Sequence, residues 1–286
     1  MKTHDLVIDG VSLVAYEWGQ PGGQQVVLAH ATGFHGRCWD KIVELLPADW
    51  HVFALDARGH GRSEKTEPVS WGRFAHDLIG ALEALGARDA VGVGHSMGGH
   101  SVAHACALRP EFFARLVLID PVIFPAESYT RSSGPFGSPD EHPVARRKGE
   151  FASWQAFRDR LKDRHPYSLW QPRILDDYCR YGVVPNRGGK GVKLACPGRV
   201  EASVYMGNFD TDIYPLLGKI EQPVQILRAP GGDFEAPEMD FAASPTWPDL
   251  WTAFPHGEDC YQADLTHFMP MQDPKRISKY IIGDEI

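Results

Sequence analysis

Short, unbroken apolar runs alternate in the first half of the chain with stretches whose apolar residues recur every three or four positions. Residues 26–29, 52–55, 90–93 and 116–119 are of the first kind. Runs this short, with nothing polar inside them, predict strands buried on both faces. Residues 39–46 and 71–85 have helical spacing, and Gly86 supplies a stop for the second. Residues 6–8 and 13–18 flank Asp9-Gly10 and predict a hairpin. Strands and helices in alternation predict an α/β fold, a mostly parallel sheet with helices on both faces.

The alternation breaks after Pro121. Residues 128–143 are rich in Ser, Gly and Pro and predict loop. Helical patterns follow at 151–162 and 172–181, and a strand pattern returns only at 224–227. A strand-like stretch at 260–263 then leads to a final helix over 273–282. The pattern predicts a core built from residues 1–122 and 216–286, interrupted by an insertion at 123–215.

Composition narrows the class. The 286 residues are 43% hydrophobic and 23% charged, enough for one large core. A net charge of -8 argues against a general nucleic-acid binder. The five cysteines are odd in number and lack C-x-x-C spacing, which predicts reduced thiols rather than disulfides or a metal framework. No apolar stretch has signal-peptide length, and none approaches the roughly 18 residues of a membrane span. A cytoplasmic protein without membrane insertion is expected. The insertion is basic: residues 146–199 hold thirteen Lys/Arg against five Asp/Glu. A basic lid would attract anionic substrates, but charge runs on helices mostly face water, and a solvated surface is the expectation.

The chemistry centres on Gly94-His95-Ser96-Met97-Gly98, a G-x-S-x-G pentapeptide between a predicted strand and the alanine-rich stretch 101–108. Strand, tight turn and helix make a nucleophile elbow, which lifts the serine Oγ out of the strand end. The glycines do not form a dinucleotide-binding loop, because Met97 stands where a third glycine is needed.

A nucleophilic serine needs a base, an acid to orient the base, and donors for the oxyanion. On such an elbow the expected chain order is serine, acid, histidine. His267, between the strand-like 260–263 and the last helix, is the expected base. Asp233, in the loop after the 224–227 strand, is the expected acid; Asp120, Glu235 and Asp240 compete with it. The oxyanion donors are expected to be the amides of Met97 and Thr32, the latter in His30-Ala31-Thr32-Gly33-Phe34-His35-Gly36, with Phe34 as alternative. His100 and His104 are spaced i, i+4, but no third ligand is suggestively placed, and no metal site is expected.

Four stretches together resemble the α/β-hydrolase superfamily, in its capped esterase-like branch: residues 30–34, 56–63, 94–99 and His267. Where family members often have His-Gly, this chain has His30-Ala31, a departure that bears on the oxyanion donor. The resemblance implies an eight-stranded α/β-hydrolase fold with residues 123–215 as a helical cap. It also implies a structural role for 56–63, no cofactor, and a small-molecule acyl substrate. Serine at the elbow resembles the esterases, lactonases and C–C hydrolases; relatives that cleave epoxides or carbon–halogen bonds usually carry aspartate there. The expected activity is ester or related acyl hydrolysis by a monomer or homodimer. Lactonase, C–C bond hydrolase, thioesterase, acyltransferase and cofactor-free oxidase chemistry remain open, as does a ligand-sensing receptor on a hydrolase scaffold. Trp154, Phe157, Tyr167, Trp170, Tyr178, Tyr181 and Tyr205 could wall an apolar pocket in the insertion, although aromatics at helical spacing are more often simply core.

Overall fold

The computed structural model describes residues 1–66, 69–130, 136–232 and 240–284. The hairpin forms as expected from β1 (Lys2–Ile8) and β2 (Val11–Gly19), with Leu6 opposite Leu13. Asp9 and Gly10 both have positive φ, 47° and 78°, as its two-residue turn requires. Strands β3 (Gln25–Ala29), β4 (His51–Asp56), β5 (Ala90–His95) and β6 (Phe113–Ile119) follow. The insertion contains β7 (Glu150–Phe151), β8 (Val183–Pro185) and β9 (Val192–Leu194). The core resumes with β10 (Val224–Arg228) and β11 (Gly257–Tyr261). The main sheet has eight strands in the order β1-β2-β4-β3-β5-β6-β10-β11. Only β1 with β2 and β2 with β4 pair antiparallel; from β4 to β11 every pairing is parallel.

Successive residues of a strand point to opposite faces, and both faces of this sheet are covered. Val26, Leu28, Val52 and Val91 pack with Ile42 of α1 (Asp40–Val43) and Ile277 and Ile281 of α9 (Pro274–Ile282). Val27, Phe53, Leu116 and Leu118 face the other way, onto Leu78 and Leu82 of α2 (Trp71–Leu85) and Val102 of α3 (Met97–Leu108). Each such side chain, fully buried, contributes about 1.5–3 kcal/mol. Gly86 caps α2 in the left-handed conformation, φ 67°.

The 39–46 helix is shorter than its spacing predicts. A 3-10 turn, Gly36–Trp39, leads into α1, and the chain then closes tighter bonds, Leu45 N–H to the Ile42 carbonyl at 2.9 Å. Pro47 explains the stop, since it bars helical geometry in the residue before it. The last strand, Gly257–Tyr261, starts three residues and ends two residues earlier than the predicted 260–263, because parallel pairing with β10 sets its register.

Inside the insertion, α4 (Trp154–Leu161) and α5 (Pro172–Tyr181) match the two predicted helices. A third, α6 (Gly198–Met206), and a small antiparallel sheet of order β7-β9-β8 were not legible. Strands of two or three residues are too short to show alternation. Phe151, Phe157, Trp170, Ile174 and Tyr178 of the insertion bury against Ala31, Phe34, Phe268 and Met271 of the core. The insertion therefore sits at the end of the sheet where β3 and β11 deliver their loops. The chain returns through α7 (Tyr214–Leu217) and closes with α8 (Met269–Gln272) and α9. Among the described residues, no helix is long and apolar enough to cross a membrane.

Candidate active site

Ser96 stands alone between β5 and α3, with φ 59° and ψ −120°. A non-glycine residue is strained there, by about 1–3 kcal/mol. The turn holds because its flanks are glycines. A Cβ on Gly94 would lie 2.3 Å from the Gly98 carbonyl oxygen, and one on Gly98 would lie 2.2 Å from that of Ala29. Backbone bonds fix the turn: Ser96 N–H donates to Ile119 at 3.0 Å, and its carbonyl accepts from Gly99 at 3.0 Å and Val122 at 3.2 Å.

His267 lies between β11 and α8, 9% exposed. Its N–H donates to the Ala242 carbonyl at 2.7 Å. Its Nδ1 lies 2.7 Å from Oδ2 of Asp120. A carboxylate only accepts, so Nδ1 carries the proton and Nε2 keeps its lone pair free. Asp120 follows directly on β6, is fully buried, and also has positive φ, 45°. Its other oxygen, Oδ1, accepts from Ser244 Oγ at 2.5 Å, from Thr246 Oγ1 at 3.2 Å and from the Ala229 amide at 3.2 Å. With His267 these donors satisfy a charge that burial would otherwise make costly.

The partner of the expected base is thus Asp120, one of the competitors named from sequence, in place of Asp233. Asp233 and Glu235 lie outside the described residues. Asp240 is exposed, and its carboxylate accepts from the Ala242 amide at 2.8 Å, an ordinary turn role. The physical reason is topological: β6 lies between β5 and β10, so a side chain leaving its end stands beside both the elbow and the His267 loop. Ser244 and Thr246 carried no sequence signal, since both are distant in sequence from every motif.

The loop after β3 is braced from two sides. His30 Nδ1–H donates to the Ala31 carbonyl at 2.8 Å, and its Nε2 accepts from the Ala57 amide at 3.0 Å. Complete burial pushes the His30 pKa down to about 4, so the ring is neutral. His35 Nε2–H donates to the Tyr178 carbonyl on α5 at 3.0 Å and ties the loop to the insertion. The Phe34 amide is consumed by Ala31, at 3.1 Å. Among the described residues, the amides of Thr32 and Met97 have no protein acceptor. Met97 opens α3, where orphan N–H groups and the helix dipole favour negative charge.

Two further groups escaped the sequence reading. Glu201 on α6 presses against Gly33, whose φ is +80°: a Cβ there would lie 2.6 Å from Glu201 Oε1. Glu201 is paired with Arg147, and the hydroxyl of Tyr178 also interacts with that guanidinium. Burial raises the Glu201 pKa despite the cation beside it. Several other cations of the insertion are paired at the surface, Arg158 with Asp176 and Arg173 with Asp177 among them. His100 and His104 pack edge to face, 6.1 Å between ring centres, and no group of three metal-ligating side chains occurs among the described residues.

Comparison with known proteins identifies the family and the fold. The family model described as "Alpha/beta hydrolase family" matches residues 26–279. The bifunctional esterase/perhydrolase DCH of Acinetobacter calcoaceticus is 34% identical over 235 residues, 77% of this chain and 78% of that protein. The uncharacterized hydrolase YugF of Bacillus subtilis (strain 168) is 29% identical over 178 residues, 60% of this chain and 63% of its own length. The crystal structure of E-2-(acetamidomethylene)succinate hydrolase superposes with a TM-score of 0.78, covering 99% of this chain and 98% of that one at 20% identity.

Proposed function

Since the chain belongs to the alpha/beta hydrolase family, we propose that it is a serine hydrolase cleaving a carboxylic ester, or a related acyl bond of a small molecule, through an acyl-enzyme. Ser96 is the nucleophile, His267 the base and Asp120 the orienting acid. Ser96 Oγ attacks the carbonyl carbon while its proton passes to His267 Nε2. The oxyanion is held by the Met97 and Thr32 amides, each such donor being worth ~10²–10³ in rate. The intermediate collapses, and His267 returns the proton to the leaving alcohol. Water, deprotonated by His267, then hydrolyses the acyl-enzyme and restores the serine. Residues 123–215 act as a cap that excludes water and shapes the pocket.

The observation that carries this reading is the buried Asp120–His267 pair, 2.7 Å apart, joined through His95 and Ile119 to a serine held at φ 59°. Esterase activity in a relative that aligns over most of both chains supports it. The test is steady-state turnover of p-nitrophenyl acetate and butyrate, with fluorophosphonate labelling of the serine. Ser96→Ala should abolish both; a Ser96→Ala protein with full turnover would refute the assignment.

A further inference from the structure

His95 directly precedes the proposed nucleophile and is the last residue of β5. It is completely buried. Its Nε2 lies 2.8 Å from the backbone carbonyl oxygen of His267. A carbonyl can only accept, so His95 is the Nε2–H tautomer and its Nδ1 is a bare acceptor. That Nδ1 is buried and has no partner among the described residues. The two imidazole rings stand 5.0 Å apart at 43°. Phe34 and Phe268 close round His95 edge-on, at 6.1 and 6.4 Å. An aromatic hydrocarbon would fill this apolar site without an orphaned lone pair, so its one bond singles the histidine out.

We infer that His95 is a positioning residue: through its hydrogen bond to the His267 carbonyl it fixes the base relative to the serine. The inference rests on the serine-hydrolase reading. The path is short. His267 carbonyl, His95 ring and the peptide link to Ser96 join base and nucleophile independently of Asp120. His267 is thereby held at three points, its amide by Ala242, its carbonyl by His95 and its Nδ1 by Asp120. Two of these anchors sit at the ends of paired strands, His95 lying opposite Ile119, the neighbour of Asp120. Asp120 sets the tautomer and tilt of the ring, while His95 sets where its backbone stands. Burial keeps His95 neutral, holding its pKa well below the ordinary value. The bond therefore lasts through a cycle in which His267 gains a proton nearby.

Three variants test this. Gln places an amide nitrogen where Nε2 is, Asn places one nearer Nδ1, and Phe keeps the shape without a donor. His95→Gln should retain kcat within about threefold. His95→Asn and His95→Phe should lose roughly 10–10²-fold in kcat with little change in KM, the scale expected of a misplaced catalytic group. The downfield proton resonance of the Asp120–His267 bond, assigned by its loss in Asp120→Asn, should persist in His95→Gln and broaden or vanish in the other two. Equal activity and an unchanged resonance in all folded variants would overturn the inference, as would a His95→Gln protein as impaired as His95→Phe. If wild-type protein neither turns over aryl esters nor reacts with fluorophosphonate, the hydrolase reading fails. The resonance then still decides whether His95 holds His267.

Discussion

Ser244 Oγ donates to Asp120 Oδ1 at 2.5 Å, while Oδ2 of the same carboxylate faces His267 Nδ1 at 2.7 Å. One oxygen is thus held so that the other can orient the proposed base. Asp120→Asn turns an acceptor into an amide and favours the wrong imidazole tautomer, and kcat/KM for aryl esters should fall by roughly 10³–10⁴-fold. Ser244→Ala removes one donor to a buried charge. It should cost about 1.5–3 kcal/mol in denaturant unfolding, with a smaller loss of rate. An Asp120→Asn enzyme of normal kcat/KM would exclude Asp120 as the orienting acid.

Gly33 combines φ +80° with a carboxylate at its back. Gly33→Ala faces both a left-handed backbone, costing about 1–2 kcal/mol, and a clash with Glu201. The Thr32 amide should shift with it. Thermal unfolding should show a lowered Tm, and kinetics a fall in kcat of about 10-fold or more, since an oxyanion donor would be misplaced. Gly10→Ala, at φ +78° but with nothing within 4 Å, is the control: reduced stability without a change in kcat.

Buried histidines give the fold an acid limit. Burial pushes His30 to about 4 and His100 to about 3, and lowers His60 and His95 as well. The unfolded chain therefore binds more protons than the native one below the ordinary histidine value of 6.5. The sign follows: stability is complete above pH 6.5 and falls as the pH drops towards 4 and then 3. For His30 alone the loss is of order 3 kcal/mol. Urea unfolding at pH 7.5, 6, 5 and 4.5 measures it, and His100→Phe should flatten the slope. A pH-independent midpoint across this range would contradict the argument.

Arg147 and Glu201 predict the opposite sign. Burial already raises the Glu201 pKa. Arg147→Met leaves that carboxylate unpaired, and stability at neutral pH should drop by about 3–5 kcal/mol. A raised native pKa means stability is present below 4.5, the ordinary value, and lost as the pH rises through the native one. The variant should recover part of its deficit on acidification, before the histidines take over. Differential unfolding of wild type and variant against pH separates the two effects.

The sheet was legible because strands buried on both faces read as unbroken apolar runs, and α2 because fifteen residues repeat the helical period and end in a glycine. The elbow was legible because its glycines answer to backbone contacts only a few residues or one strand away. What distinguishes Asp120 from its competitors is not local: it lies in sheet order, in Ser244 and Thr246, and in a loop 147 residues downstream. Glu201 against Gly33 is likewise a contact between segments that share no pattern. The small sheet of the insertion fell below the length at which alternation can be read.

Among the described residues, the donors that hold the Asp120 carboxylate, from Ala229, Ser244, Thr246 and His267, belong to the core and none to the inserted segment. The chain nonetheless leaves for residues 123–215 only three positions after Asp120. On the proposed reading the fold has a seam, with chemistry referenced on one side of it and pocket walls on the other. Grafting a different segment in place of residues 123–215 should, on that reading, exchange the walls as a cassette while leaving the proposed acid anchored where it is.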